Sequence, residues 1–310
     1  MSDVYSLTVI TGFLSTMLIL ATPLLLAALG ETISQNSGVV NLGVNGIMLL
    51  SAFFAFYVVL MTESLFLGIL AAIATGLAMG LIMSLVSITL KAEQGVSGIG
   101  LNMFGLGLSS LLFKVLVGTV KTVGGMPKIA LPLLSKIPLL GPVFFEHHLF
   151  VYFAFAMVPL LWWILERTTW GLTIKSVGQN PAAADSRGIN VNLVRYICVT
   201  SGAVMAGLAG ASLSIATLNL FQDNLTAGQG FIAVALVYFG GWSPVGVMWG
   251  ALLFSAANSV QLWMQVLGVP VPASLANMLP YLLTVITLTF SGRRNRKPGA
   301  LNKPFFRGEA

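Results

Sequence analysis

Long apolar runs separated by short polar breaks fill almost the whole chain. A helix needs about 20 mostly apolar residues to cross the hydrocarbon core of a bilayer. Runs near that length occupy nine stretches: 5–29, 39–61, 65–90, 96–118, 148–165, 191–215, 230–241, 245–267 and 275–290. The pattern predicts an all-α integral membrane protein, a polytopic bundle of about nine transmembrane helices, with a range of about eight to ten. Stretch 230–241 is too short to cross alone, so we expect a tilted or half-length helix there.

The composition agrees with lipid as the solvent. Hydrophobic residues make up 57% of the 310 residues, and charged residues only 8%. Soluble domains carry roughly 25% charged residues. A soluble protein of this length could not hide so much apolar surface, and the class of soluble proteins is therefore excluded.

The basic residues are unevenly distributed and predict the orientation. The net charge is +6, and six of the fifteen basic residues fall in the last 18 positions: Arg293, Arg294, Arg296, Lys297, Lys303 and Arg307. Cytoplasmic segments of membrane proteins carry such an excess. We therefore expect a transmembrane domain over 1–292 and a basic cytoplasmic tail over 293–310. Nine crossings then place the N-terminus outside and the 166–190 loop in the cytoplasm, and this distribution argues against a nucleic-acid partner.

The polar loop 166–190 contains the signals of a short helix. Asn180 is a good N-cap, Pro181 suits the first helical position, and three alanines follow. Gly188 supplies a stop, because glycine readily takes the left-handed conformation that ends many helices. A capped helix between two membrane-length stretches predicts a surface that contacts a partner.

Polar residues also interrupt the apolar pattern between Gly30 and Gly46. Polar side chains within spans are costly and often mark a pathway, and glycines at 38, 43 and 46 discourage a regular helix here. Two interpretations remain open for the first three of these residues, a pathway lining or the capping of a cytoplasmic turn: Glu31, Gln35 and Asn36. Asn41 and Asn45 lie deeper, and we predict that they line the pathway. Asn102 is isolated in its stretch and fits either a pathway or a hydrogen bond between helices.

Small residues recur every four positions in the 191–215 stretch, at Gly202, Ala206, Gly210 and Ser214. Such stripes let helix backbones approach closely in lipid. We favour tight packing within one subunit over a contact between subunits.

Several kinds of chemistry are missing from the sequence. There is no Gly-x-x-x-x-Gly-Lys-Ser/Thr loop for nucleotide phosphates, no Ser/His/Asp constellation and no cluster of metal ligands. His147 and His148 stand together without further ligands, and we expect them to be solvated at the membrane edge. Cys198 is the only cysteine, so the chain cannot form an internal disulfide. We predict a non-catalytic chain that binds no cofactor or metal and takes any energy from another chain.

The residues around the glycines of the 30–46 segment belong to a series of short motifs that recurs in known proteins. The first part reads Gly30–Ile33, Ser37–Val44 and Gly46–Leu49, and the series continues along nearly the whole chain through Thr169–Leu172, Val177–Asp185, Gly188–Val191, Ser201–Gly202, Ala206–Ala211, Gly230–Ala235 and Phe239–Pro244. It resembles the permease subunits of bacterial ABC importers, in the branch of branched-chain amino acid, ribose and nucleoside permeases. It is most similar to the shorter of the paired permeases in nucleoside or simple-sugar systems.

This resemblance implies the large-type ABC importer permease fold in the bacterial inner membrane. It implies that the 166–190 loop couples to a cytoplasmic ABC ATPase, which supplies ATP, through Gly171, Asn180, Pro181, Ala182, Ala183, Asp185 and Gly188. The expected partners are a homologous permease in a heterodimer, the ATPase, an extracytoplasmic solute-binding protein and membrane lipid. The candidate pathway residues are Glu31, Asn41, Asn45 and Asn102.

The chain departs from its close relatives at three pathway positions. Gln35, Asn36 and Asn45 stand where those relatives usually carry an acidic–basic pair and a later glutamate. A neutral polar lining suits an uncharged hydroxylated solute, so we favour a nucleoside or a simple sugar over a branched-chain amino acid. Two interpretations of another class stay open: a stand-alone channel or secondary carrier, and a membrane scaffold that transports nothing.

Overall fold

The computed structural model describes residues 7–130, 140–267 and 297–307, together with Met278 and Leu282. Helices form most of this part of the chain: α1 Leu7–Asn36, α2 Val44–Thr62, α3 Leu65–Ser84, α4 Gln94–Leu116, α5 Leu140–Phe144, α6 Leu149–Arg167, α7 Thr169–Gln179, α8 Pro181–Ser186, α9 Val191–Ala211, α10 Gln229–Phe239 and α11 Pro244–Val266. Two short strands, β1 Ile129–Ala130 and β2 Glu146–His147, pair antiparallel. A π-helical turn extends α3 over Leu85–Thr89, and another extends α9 over Ser212–Thr217.

Seven of the described helices are long and apolar enough to cross a membrane: α1, α2, α3, α4, α6, α9 and α11. They follow the predicted stretches in order, so the prediction of an all-α, multi-pass membrane protein is confirmed. The ninth predicted stretch, 275–290, lies outside the described residues except for Met278 and Leu282. The count of nine crossings therefore stays a prediction.

Helix α1 is longer than predicted, because the predicted stretch ended at residue 29 and the helix ends at Asn36. Its polar last turns stay helical since their side chains bond inside the protein. Thr32 Oγ1 donates to Ala28 O at 2.7 Å, and Asn36 Nδ2 donates to Thr32 O at 2.8 Å. Both side chains are buried, so they face other helices and not lipid.

The predicted break in helical structure lies between α1 and α2, over residues 37–43. Gly38 takes a positive φ of +93°, which glycine adopts at little cost. Non-helical backbone at membrane depth needs protein around it, and Ser37 and Val39 are fully buried. The prediction was wrong for Gly46, which lies inside α2 because it lets α4 approach: a Cβ there would lie 2.6 Å from Asn102 Cα.

Helix α9 is the centre of the bundle and packs on α1, α2 and α3. Its small residues meet backbone atoms of these neighbours. A Cβ on Gly202 would lie 2.5 Å from Gly30 O, and a Cβ on Gly210 would overlap Met48 O. The stripe therefore packs inside one subunit, as the sequence favoured.

Helix α10 is a half-length helix, as predicted, with 11 residues. At 1.5 Å per residue it spans only about 17 Å. Its first turn reaches Asn45 through Gly230 N, and the turn after it reaches α1, where Trp242 Nε1 donates to Gln35. Helix α10 thus runs from the interior of the bundle to the end where α1 stops.

Segments that the topology assigns to one side of the membrane meet at one end of the bundle. Gly178 O accepts from Ala300 N, and Gly38 O accepts from Asn302 N. We call this the 166–190 end. At the opposite end, Val123 N donates to Asn219 O, and Lys114 pairs with Asp223 at 3.9 Å on the surface.

The two histidines are not solvated, which corrects the expectation from the sequence. His147 is fully buried, and its Nε2 lies 2.7 Å from Val143 O. His148 is buried as well. His147 belongs to β2, which pairs with β1, and its ring packs edge-on against Tyr152 of α6.

Candidate functional site

The 166–190 loop forms two consecutive helices, each capped by its own sequence. Thr168 caps α7, where its Oγ1 accepts from Gly171 N at 3.2 Å. Asn180 caps α8, where its Oδ1 accepts from Ala183 N at 3.1 Å, and Pro181 occupies the first turn. The helix start that the sequence predicted at Asn180 is confirmed.

Helix α8 presents small residues outward. Ala182 and Ala183 are exposed, whereas Ala184 is buried against the bundle. The chain turns away at Gly188, whose φ of +84° confirms the predicted stop. Asp185 is half-buried, and its Oδ2 accepts from Arg307 Nε at 3.2 Å. The exposed side chains of α8 itself, Ala182, Ala183 and Ser186, are therefore small.

Two glycines of α7 fix this helix pair on the bundle. A Cβ on Gly171 would overlap the carbonyls at the end of α6, and Gly171 is buried, so its predicted part in coupling to the ATPase stays a prediction. A Cβ on Gly178 would overlap Asn36 O, at the last residue of α1. The α7–α8 pair thus rests directly on the point where α1 ends and the 37–43 connection begins.

A buried hydrogen-bond network continues inward from this contact. Glu31 Oε1 accepts from Gln35 Nε2 at 2.9 Å and from Asn41 N at 3.0 Å. Trp242 Nε1 donates to Gln35 Oε1 at 2.8 Å, and Asn36 Nδ2 donates to Trp242 O at 3.1 Å. These side chains tie the 37–43 connection to the turn after α10. Glu31, Gln35 and Asn36 are therefore buried and hydrogen-bonded to one another or to neighbouring segments, and the choice between a pathway lining and the capping of a turn stays open.

The Asn41 side chain bonds within its own turn, since its Oδ1 accepts from Gly43 N at 2.9 Å. This local bond shapes the entry into α2 in the manner of an Asx turn. Asn41 is buried, and its backbone N donates to Glu31 Oε1. Its predicted place on a pathway stays a prediction.

Asn45 joins three elements inside the bundle, at 3% exposure. Its Nδ2 donates to Asn102 Oδ1 on α4 at 3.2 Å, and its Oδ1 accepts from Thr226 Oγ1 at 2.9 Å and Gly230 N at 3.3 Å. The sequence suggested that Asn102 is isolated, and this was wrong. The packing of Gly46 against α4 brings the side-chain amides of Asn45 and Asn102 together. We call these four residues, Asn45, Asn102, Thr226 and Gly230, the Asn45 cluster. Neutral donors and acceptors of this kind can bind hydroxyl or amide groups and supply no acid, base or nucleophile.

Sequence reasoning missed three members of the site region. Arg195 is a charged residue inside a membrane-length stretch, which was a signal for a functional role. Trp242 and Thr226 gave no such signal, because their hydrogen-bond partners lie far away in the sequence. Thr226 bonds to Asn45, 181 positions away, and Trp242 bonds to Gln35, 207 positions away. The boundary predicted at residue 292 lies outside the described residues, but residues 297–307 pack on the bundle with Ala300 and Leu301 buried.

Comparison with known proteins identifies the relatives of this arrangement. Residues 13–288 match the family model of the branched-chain amino acid transport system permease component. The chain is 37% identical over 309 residues to the guanosine ABC transporter permease protein NupQ of Bacillus subtilis, covering 94% of this chain and 95% of NupQ. It is 36% identical over 302 residues to a protein of Haloferax volcanii named "Putative glucose ABC transporter permease protein TsgC13", covering 90% and 91% of the two chains.

A third relative is the nucleoside ABC transporter permease protein NupC of Lactococcus lactis. It is 35% identical over 283 residues, which cover 88% of this chain and 89% of NupC. No solved structure matches the chain. The matches run over nearly the full length of both partners, in agreement with the multi-helix membrane fold. The chain therefore belongs to the family of permease components of ABC transport systems described as the branched-chain amino acid transport system permease component.

Proposed function

We propose that this permease imports a nucleoside or a simple sugar by alternating access, driven by a separate cytoplasmic ATPase. The observation that carries the proposal is the contact of Gly178 with Asn36 O. It connects the outward-facing helix pair α7–α8 to the buried connection that leads to Asn45. A force applied at α8 can therefore reach the interior through packed backbone, without a flexible intermediate.

In the proposed mechanism the ATPase receives α8 in a groove. The small exposed side chains of Ala182 and Ala183 permit such close contact. ATP binding closes the ATPase subunits and moves α8, and ATP hydrolysis releases it. The permease itself contributes no catalytic group to hydrolysis, and its helices reorient around the Asn45 cluster.

The choice of solute class rests on the chemistry of that cluster and on the relatives. Amide and hydroxyl groups bind the hydroxyls of a sugar or ribose, and they leave a free carboxylate or ammonium group without an opposite charge. NupQ is named for guanosine, NupC for nucleosides and TsgC13 for glucose. A nucleoside or a simple sugar fits both lines of support better than a branched-chain amino acid.

The proposed assembly contains a second, homologous permease, two ATPase subunits and an extracytoplasmic binding protein. Apolar side chains are exposed along several membrane-length helices, for example Leu77 on α3, Met103 on α4 and Trp249 on α11. Lipid and the second permease would share these faces. The 166–190 end would face the cytoplasm, and the binding protein would meet the opposite end.

An experiment with one exposed residue tests the coupling role. We expect Ala183→Asp to leave the chain folded in the membrane and to reduce guanosine uptake at least about tenfold, because a charge would enter the contact with the ATPase. Uptake of labelled guanosine and co-purification of an ATPase subunit are measured together. Thr119→Asp, exposed at the opposite end, is the matched control for the ATPase contact and should retain the ATPase subunit.

Three outcomes would count against the proposal. Guanosine and glucose transport by the purified chain alone, in liposomes without an ATPase, would indicate a channel or secondary carrier. Isolation of the intact chain from its native membrane without any ATPase subunit would indicate a scaffold. Full transport by the Ala183→Asp variant would remove α8 as the coupling element.

A further inference from the structure

Arg195 is a buried cation in the first turns of α9, with 2% exposure. Its Nε donates to Ser37 O at 3.2 Å, and its Nη1 donates to Lys303 O at 3.2 Å. Among the described residues no carboxylate forms an ion pair with it, and its Nη2 has no hydrogen-bond partner. A guanidinium held by backbone carbonyls alone is costly to bury, so a role beyond packing is expected.

The two carbonyls that bind Arg195 belong to two separate segments. Ser37 opens the 37–43 connection directly after α1, where the partial negative charge of the helix end favours a cation. Lys303 lies in the 297–307 segment. Arg195 itself follows α8 and the Gly188 turn by only a few residues. One side chain thus joins the start of α9, the end of α1 and the 297–307 segment.

The 297–307 segment is anchored in the interior by Leu301. This side chain is 4% exposed and packs in a cluster with Val40, Val237 and Trp242. Asn302 N donates to Gly38 O at 3.1 Å. The segment therefore touches both the 37–43 connection and the turn that follows α10.

The same segment also binds the α7–α8 pair. Ala300 N donates to Gly178 O at 2.9 Å, and Gly299 N donates to Gln179 Oε1 at 3.1 Å. Farther along, Arg307 pairs with Asp185 of α8 at 3.2 Å. Each of the two helices is thus bonded to the segment that Arg195 holds.

We propose that Arg195 and the 297–307 segment form a clasp that transmits movement of α7–α8 to the 37–43 connection. Arg195 is a positioning residue in this clasp, since it acts through backbone carbonyls and touches no solute. The inference rests on the proposed function, because it presumes that an ATPase moves α8. It adds a second mechanical route beside the Gly178–Asn36 contact.

The unpaired donor of Arg195 explains why arginine serves here. A Cβ on Gly38 would lie 3.0 Å from Arg195 Nη2, so the free donor faces the 37–43 connection. A guanidinium has five N–H donors in a rigid fork, and the two bonds made here leave capacity to exchange carbonyls as the connection moves. A lysine would keep the charge but lose this fork, and a methionine would lose both.

The test compares assembly with coupling in the complete transporter. Arg195→Met, Arg195→Lys and Leu301→Ala are expressed in place of the wild-type chain. Lys121→Met, at an exposed position away from the 166–190 end, is the matched control for assembly and basal hydrolysis. Complexes are isolated with their ATPase, and ATP hydrolysis and uptake of labelled guanosine are measured at equal complex. We expect Arg195→Met to keep ATPase co-purification and basal hydrolysis within about twofold, while guanosine uptake per ATP falls at least about tenfold.

The companion variants separate coupling from folding. Arg195→Lys should recover part of the uptake, and Leu301→Ala should lose uptake per ATP without loss of assembly. Wild-type uptake per ATP in Arg195→Met would overturn the clasp. The clasp is also overturned if both Arg195 variants disappear from the membrane while Leu301→Ala couples normally, because Arg195 would then serve folding alone. Failure of the wild-type chain to isolate with any ATPase would overturn the proposed function itself, and the clasp with it.

Discussion

Glycine contacts set the spacing of the helices at the residue scale. A Cβ on Gly202 would lie 2.5 Å from Gly30 O, and a Cβ on Gly30 would lie 2.5 Å from Gly202 O. Gly210 is tighter still against Met48 O. In lipid the packing of such surfaces replaces the hydrophobic driving force between helices. A carbonyl cannot swing aside as a flexible side chain can, so these positions admit no larger residue without a shift of a helix.

We expect Gly210→Ala to destabilise the protein by about 2 kcal/mol, because the added methyl must displace the backbone of α2. Gly100→Ala is the matched control, since a Cβ at Gly100 on α4 meets nothing within 4 Å. That change should be neutral or stabilising by up to about 1 kcal/mol, as alanine favours helix more than glycine does. Thermal unfolding of both variants in detergent gives the comparison. Equal melting temperatures would contradict the importance of the α9–α2 contact.

How far the sequence predicts single residues depends on the distance over which they act. Asn180, Pro181 and Gly188 act on backbone within three positions, and their caps and turn were predictable for that reason. Asn45 and Asn102 are 57 positions apart, and their bond depends on how closely α2 approaches α4. No pattern in the sequence encodes that approach, although the charge of Arg195 in an apolar stretch did mark an unusual position.

At the scale of elements, two non-helical segments reach α2 from opposite ends of the bundle. The 37–43 connection enters from the 166–190 end, and the segment between α9 and α10 brings Thr226 to Asn45 from the other. Glycine and polar residues accumulate in both segments, and such residues disfavour regular helix. For this reason the sequence predicted the break at 37–43 and the half-length helix α10. The bond between Thr226 and Asn45 could not be predicted, since it requires the relative depth of α2 and α10.

The β1–β2 pair predicts a dependence of stability on pH. Burial lowers the pKa of His147 below its usual value near 6.5, with a smaller lowering by Lys128, while the bond to Val143 O and the charge of Glu146 oppose the shift. Burial, and the neighbouring His147, lower the pKa of His148 as well. Both rings are therefore favoured in the neutral form when folded. Their contribution is fully present above pH 6.5 and is lost as the pH falls through the lowered pKa.

We expect the melting temperature in detergent to fall as the pH is reduced from 7.5 to about 5.5. His147→Gln keeps a side-chain donor for Val143 O but cannot take up a proton in this range. The variant should therefore show a weaker dependence, with the remainder contributed by His148. An unchanged dependence in His147→Gln would exclude His147 as the responsible group.

At the scale of the whole molecule, the contacts divide the described loops into two groups. Glu93, Gly178, Gly188 and the 297–307 segment gather at one end, where Glu93 also caps α4 through Gly95 N and Val96 N. The 119–130 segment and Asn219 gather at the other. This grouping is the one predicted from the alternation of crossings. The distribution of basic residues further predicts that the first end is cytoplasmic.

Labelling of single cysteines would determine this orientation. Cys198 is buried and is the only cysteine, so a Cys198→Ser background is cysteine-free. We expect a membrane-impermeant maleimide to label Thr119→Cys in intact cells. Arg187→Cys should react only after the membrane is permeabilised, and the reverse pattern would invert the proposed topology.

The π-helical turn at the end of α9 limits how the length of this chain can vary. Leu218 N donates to Leu213 O, one residue farther back than in an α-helix. Deleting one residue there would restore an ordinary α-turn with every donor still paired, so the helix itself would tolerate the loss. The deletion would also rotate the residues after this turn by about 100° about the helix axis. The Phe221 ring would then lose its contacts with the rings of Phe53 and Phe113, whose centroids each lie 5.3 Å from its own. The aromatic contacts of Phe221 therefore disfavour an insertion or deletion in this turn. A functional variant with a different length here must also change the residues that pack around Phe221.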